Sequence, residues 1–195
     1  MSLFAGSART SAGGLIGIAG AGAGGSALAA TSAKARNGRA SRFMYLSDIR
    51  AAGGDINETA GDGLMIIFQD ASPLGHAASA VETALSIRDK TAARNLKETG
   101  KHPALVVNMG VSSGECDVGS TKFRGTTGER WTFTASGPST NLAARLGGFA
   151  RNGQILVSPE TAKRVQNHFL LRCIGPVELK NIGQLVEVWE AKAAI

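Results

Sequence analysis

Two polar side chains stand four residues apart in the run Asn141-Leu142-Ala143-Ala144-Arg145-Leu146. On an α-helix that spacing puts both on one face, a turn apart, and leaves the small apolar residues on another. The planar fork of an arginine suits paired oxygens better than an ammonium does. Both residues also have ordinary uses, a surface salt bridge for Arg145 and a helix-start cap for Asn141. A third polar residue, Asp62, lies between two glycines and just ahead of the apolar run Leu64-Met65-Ile66-Ile67-Phe68. Gly-Asp-Gly is a good turn by itself. Cys116 and Cys173 are the only cysteines. They are too few for a disulfide framework or a four-thiolate zinc site, and a reducing compartment is the natural setting.

These residues need elements to hold them. Residues 41–52 read as the end of a helix stopped by Gly53-Gly54. Residues 55–58 and 64–68 flank the Gly-Asp-Gly turn as a β-hairpin. Ser72-Pro73 opens a long helix with Ala77, Ala78, Val81, Ala84, Leu85 and Arg88 on helical spacing. A β-prone run follows over 104–111, then a polar hairpin over 118–130 leading into a strand over 131–135. Gly137-Pro138-Ser139 reads as the start of the helix that carries Asn141 and Arg145. A short strand over 153–157, a helix capped by Ser158-Pro159-Glu160 and strands near 169–173, 177–180 and 186–191 close the chain. Such an order predicts an α/β (α+β) domain, a mixed and mainly antiparallel sheet with flanking helices.

The first forty residues have a different texture. They contain 26 Gly, Ala or Ser residues and no acid, and the first acid in the chain is Asp48. Too few large apolar side chains are present to offset ordering entropy. Residues 1–40 are therefore expected to be a disordered segment or one foreign to the domain, and residues 41–195 the domain itself. A targeting peptide and a flexible tail are further readings of the same composition. Residues 1–50 hold six basic residues against one acid, while 51–195 carry 15 basic and 14 acidic residues, so the net charge of +6 sits mostly at the front. With 5% aromatic residues and no basic stripe, nucleic acid is not an expected partner. The weakly polar run over 13–30 is mostly Gly and Ala, poor material for a membrane span.

Five segments taken together resemble the catalytic domain of class III nucleotidyl cyclases, the adenylate and guanylate cyclases. They are residues 57–68, 110–114 (Gly-Val-Ser-Ser-Gly), 132–146, 153–158 and 175–180, in the family's order and spread over roughly residues 45–192. The resemblance implies a ferredoxin-like cyclase fold. It implies cyclisation of ATP or GTP to the 3′,5′-cyclic monophosphate and pyrophosphate, with Mg²⁺ or Mn²⁺, in cytoplasmic signalling. By the same resemblance Arg145 stabilises the transferring phosphoryl group, Asn141 orients the ribose, and Asp62 is a metal ligand. Glu58 and Thr134 take the two base-selecting positions, where Glu58 suits the donor edge of guanine and Thr134 is more usual in adenylate cyclases. A head-to-tail homodimer, or a heterodimer with another cyclase domain, is implied as well.

One part of the family's pattern is absent. A first metal aspartate is expected on an N-terminal strand, in an Asp-Ile-x-Gly-Phe pattern, where this chain has its acid-free segment. The sequence thus predicts a sheet lacking that N-terminal strand in its middle, with Asp48 and Asp55 the only nearby acids. Two alternatives to an active enzyme follow, a noncatalytic nucleotide-binding or dimerisation subunit and a truncated inactive product.

Overall fold

The run from Leu64 to Phe68 is apolar at every position because both faces of its strand are covered. Leu64, Ile66 and Phe68 pack into one buried cluster, Met65 and Ile67 into another. Full burial of side chains of this size contributes roughly 1.5–3 kcal/mol each. In the computed structural model, the described residues are 14–16, 18–19, 26–32, 45–58, 63–69, 72–101, 103–125 and 128–195. Asp62 lies outside them.

The elements in chain order are β1 (Gly14–Ile16), β2 (Ile18–Ala19), β3 (Ser26–Ser32), α1 (Leu46–Ala51), β4 (Gly54–Glu58), β5 (Gly63–Gln69), α2 (Pro73–Lys97), β6 (Asn108–Ser113), β7 (Asp117–Gly125), β8 (Gly128–Ser136), α3 (Pro138–Phe149), β9 (Ile155–Val157), α4 (Pro159–Val165), β10 (Phe169–Val177) and β11 (Val186–Ala194). The larger sheet runs β10-β11-β9-β6-β3-β2-β5-β4, with β1 also paired to β6. It is mixed and mainly antiparallel, its parallel pairings being β6 with β9 and β2 with β5. Strands β7 and β8 form a separate hairpin. This is the α+β architecture expected from the sequence.

Three details differ from expectation. The middle of the sheet is not open. Strand β3 lies between β6 and β5, pairing antiparallel with β6 from Ala27↔Ser113 to Ser32↔Asn108 and with β5 at Ser26↔Gln69. Its small residues give a weak pattern to read, but its ladder supplies partners that the backbone groups of β6 would otherwise lack. The run over 104–107 is not in a ladder, because Asn95 caps it. Its Nδ2 donates to Leu105 O at 2.8 Å and its Oδ1 accepts from Leu105 N at 2.9 Å. Residues 178–180 are not a strand either: β10 continues to Val177 through register shifts, and Leu179 then turns into a buried cluster with Leu146, Leu156 and Val188.

Helix α2 covers one face of the sheet. Its Ala77, Ala80, Val81, Ala84 and Leu85 meet Ile66, Phe68, Met109 and Val111. Helix α1 is tied to it by a hydrogen bond between the Tyr45 and Thr91 hydroxyls at 2.5 Å and by Lys90 Nζ donating to Asp48 Oδ2 at 2.5 Å. Burial holds the Tyr45 phenol above its ordinary range, against the pull of Thr91 and Arg94. On the opposite face α3 lies across β6 and β3. Ala143 and Leu146 are fully buried there, and a Cβ at Gly110 would collide with Ala143 O, Gly147 N and Leu146 Cβ. The strand position nearest the helix can only be glycine.

Gly110→Ala is accordingly expected to cost about 3 kcal/mol by overpacking, a fall of roughly 6–12 °C in Tm for a domain of this size. Gly148→Ala, on α3 and with nothing within 4 Å of the added Cβ, should be neutral or add roughly 0.5–1 kcal/mol. Thermal unfolding of the two variants checks the pair. Equal Tm values would show that the contact at Gly110 does not set the helix.

Candidate active site

The helix that carries Asn141 and Arg145 starts at a backbone position reserved for glycine. Gly137, its N-cap, has φ 145° and ψ 176°, a region that side chains with a Cβ do not enter without strain. Pro138 then presets the first helical φ. No side chain caps the start. The turn is held instead by Asn141 N donating to Gly137 O at 3.2 Å and by Ser139 Oγ donating to Glu115 O at 3.3 Å. Gly137 itself lies against Cys116 and Glu115. The N-terminal end of α3 is thus fastened to the loop between β6 and β7, and its C-terminal half to β6 at Gly110.

With Ser139, Ala143, Leu146 and Gly147 buried, the two polar residues are left on the other side of α3. Asn141 is exposed and Arg145 half-buried one turn later. Neither ordinary use is realised. Asn141 is not the cap, since Gly137 is, and among the described residues no carboxylate pairs with Arg145. At the residue before Asn141, Thr140 Oγ1 is buried with no hydrogen-bond partner among the described residues. A guanidinium that no acid among the described residues engages is available to an oxyanion without first breaking an ion pair to them.

The other expected residues are placed by their backbones. Glu58 ends β4, opposite Leu64 of β5. Thr134 lies in β8, opposite Gly119 of β7. Strands β4 and β8 lie against each other, so the elements carrying these two positions are neighbours. Asp62 belongs to the stretch between β4 and β5, outside the described residues. The glycines at 110 and 137 and Ser139 were not singled out from the sequence as site residues. Gly137-Pro138-Ser139 was nevertheless legible as a helix start, and Gly110 opened a segment that carried the resemblance.

A divalent metal finds little to bind. Among the described residues there is no group of three His, Cys, Asp or Glu side chains that could hold one. Asp48 is already engaged by Lys90, and Asp55 lies on the edge strand β4 opposite Ile67. Among the described residues the donors do not fit a two-metal clamp, in which carboxylates converge on ions about 4 Å apart.

The architecture defines an α+β domain with an Asn–Arg pair displayed on a helix pinned to its sheet. The chain belongs to the adenylate and guanylate cyclase catalytic domain family, whose model matches residues 49–190. In fold it is similar to the adenylyl cyclase CyaB from P. aeruginosa, with a TM-score of 0.72 and 24% identity over 87% of this chain and 94% of that one. It is similar also to the guanylate cyclase domain of RhGC from Catenaria anguillulae, crystallised with GTP, with a TM-score of 0.69 and 17% identity over 87% and 96% of the two chains. An adenylate/guanylate cyclase/hydrolase from Silicibacter pomeroyi gives 0.62 and 23% identity over 85% and 94%. No curated protein matches the chain. Among the described residues no helix is long and apolar enough to cross a membrane.

Replacing Gly137 with Ala is expected to cost about 1–3 kcal/mol through backbone strain, and Ser139→Ala about 1 kcal/mol through the lost bond to Glu115. Chemical denaturation checks both. A Gly137→Ala variant as stable as the parent would mean that the start of α3 is not held as described.

Proposed function

We propose that the chain serves the cyclisation of a purine nucleoside triphosphate, ATP or GTP, contributing the helix side of the site from α3. In that reaction the ribose 3′ oxygen attacks the α-phosphorus in line. The 3′ hydroxyl proton is lost, the bond from the α-phosphorus to the bridging oxygen breaks, and pyrophosphate leaves with that oxygen. Arg145 would meet the charge that builds on the transferring phosphoryl group, where a fixed guanidinium is worth most in a water-poor site. Asn141, one turn earlier, would hold the ribose by hydrogen bonds. The observation that carries this reading is the pair itself: two polar side chains a turn apart on a helix fastened at both ends, with Arg145 bound to no acid among the described residues. Head-to-tail pairing with another cyclase domain would bring this face of α3 to the partner's nucleotide.

A second reading is favoured by the poor metal donor set among the described residues. Here the chain is a subunit without turnover of its own, which lends Asn141 and Arg145 to a site completed by a partner. Both readings use the helix in the same way, and one mixing experiment tests that use. The chain is combined with a family cyclase whose own helix Asn and Arg have been replaced but whose metal aspartates are intact. Turnover is expected to return, and Arg145→Ala in this chain should lower it on the order of a hundredfold or more. Unchanged turnover with Arg145→Ala, or none with the parent chain, would overturn the assignment.

Base choice is assigned to Glu58, at the end of β4. A carboxylate accepts from the N1 and N2 hydrogens of guanine, whereas the lysine of Glu58→Lys donates to N1 of adenine. The mismatch penalty is roughly 1–3 kcal/mol, so the ratio of GTP to ATP analogue affinity should fall tenfold to a hundredfold in the variant. The hydroxyl of Thr134 can donate or accept and so tolerates either base. Competition binding measures the ratio, and an unaltered ratio would place Glu58 outside the base site.

A further inference from the structure

Given the nucleotide-cyclising role proposed above, we infer that this chain is a one-sided subunit. Its sheet is closed at the centre by strands that carry no metal-ligating side chain, so the carboxylates of any site it serves come from a non-identical chain of the same fold.

The inference stands on what occupies the middle of the sheet. Strand β3 reads Ser-Ala-Leu-Ala-Ala-Thr-Ser, β5 Gly-Leu-Met-Ile-Ile-Phe-Gln and β6 Asn-Met-Gly-Val-Ser-Ser. Strands β1, β2 and β9 are Gly-Leu-Ile, Ile-Ala and Ile-Leu-Val. Not one carboxylate, imidazole or thiol is present among them, and hydroxyls and amides without a charged partner make poor ligands for a hard dication. Strand β3 nonetheless has a complete ladder with β6, so backbone pairing is restored where metal chemistry is not.

The nearby acids do not make up the deficit. Asp48 is on α1, held by Lys90 of α2, and α2 packs on the sheet face opposite α3. Asp55 pairs with Ile67, four residues along the ladder from Gly63, which is roughly 13 Å at about 3.3 Å per residue. Glu115 and Asp117 are both exposed at the root of the β7–β8 hairpin, and no third donor joins them among the described residues. Asp62 alone cannot bind two ions and balance a triphosphate. A second copy of the chain repeats the same sheet, so a symmetric dimer has the same deficit in both of its sites. The partner must therefore differ from this chain in the acids of its own central strand.

The test uses the full chain and two reporter cyclases of the family, one lacking the helix Asn and Arg, the other lacking its metal aspartates. Mn²⁺ binding to the chain alone is followed by electron paramagnetic resonance, with and without a non-hydrolysable GTP analogue. Expected is no Mn²⁺ site on the chain alone, and an analogue affinity that changes less than about threefold between EDTA and Mn²⁺. The helix-deficient reporter should be rescued and the aspartate-deficient one should not. Stoichiometric Mn²⁺ binding to the chain alone, or rescue of the aspartate-deficient reporter, would overturn the inference. Failure to rescue the helix-deficient reporter would instead overturn the proposed role of Asn141 and Arg145, while the Mn²⁺ measurement would still decide the metal question.

Discussion

The approach of α3 to the sheet at Gly110 is the constraint on which the site depends. A helix and a strand can come this close only where neither presents a side chain, and here the strand offers Gly110 and the helix Gly147 beside Ala143. Once the helix is seated, its rotation is fixed by the burial of Ala143, Leu146 and Gly147. Its start is fixed by the glycine-only conformation at Gly137 and the bond from Ser139 to Glu115. Asn141 and Arg145 are what such a helix has left to show. Their mutual geometry is therefore a property of packing on the far side of the helix, and preorganisation of this kind is what lets a charged donor act without a reorganisation cost.

The same contact bears on β3. Helix α3 lies across β3 as well as β6, and the residues of β3, apart from Leu28, are no larger than threonine. A strand of small residues is compatible with a helix at short range and completes the hydrogen bonding of its neighbours. It contributes nothing that binds a cation. Fold and side-chain chemistry are set separately here: the chain has the family's architecture while β3 carries no acid, histidine or cysteine, and a fold does not by itself imply an activity.

Much of this was legible in the sequence. The antiparallel pairing of β4 with β5, the long helix after Ser72-Pro73 and the helix after Gly137-Pro138 all follow from local signals of turn, cap and period, and the structure has them. The mixed sheet followed from their order. Strand β3 was not legible, because Ser-Ala-Leu-Ala-Ala-Thr-Ser has neither the alternation nor the bulk that marks a strand, and its pairing is set by β6 some eighty residues later. Residues 104–107 looked like strand by composition, but the side chain of Asn95 satisfies Leu105 in place of a ladder. The position of Asn141 and Arg145 on one face could be read from spacing. That Arg145 would have no acid partner among the described residues could not, since ion pairing depends on which acids the fold brings near.

The central claim is that this chain gives a helix pair and not a metal clamp. The most direct measurement is an anomalous-scattering map, at the manganese edge, from crystals of the chain with a cyclase-family partner, Mn²⁺ and a non-hydrolysable triphosphate analogue. The account predicts a pair of Mn peaks about 4 Å apart only where the partner supplies the carboxylates, with Arg145 of this chain facing the same nucleotide. A pair of Mn peaks held by carboxylates of this chain would contradict it.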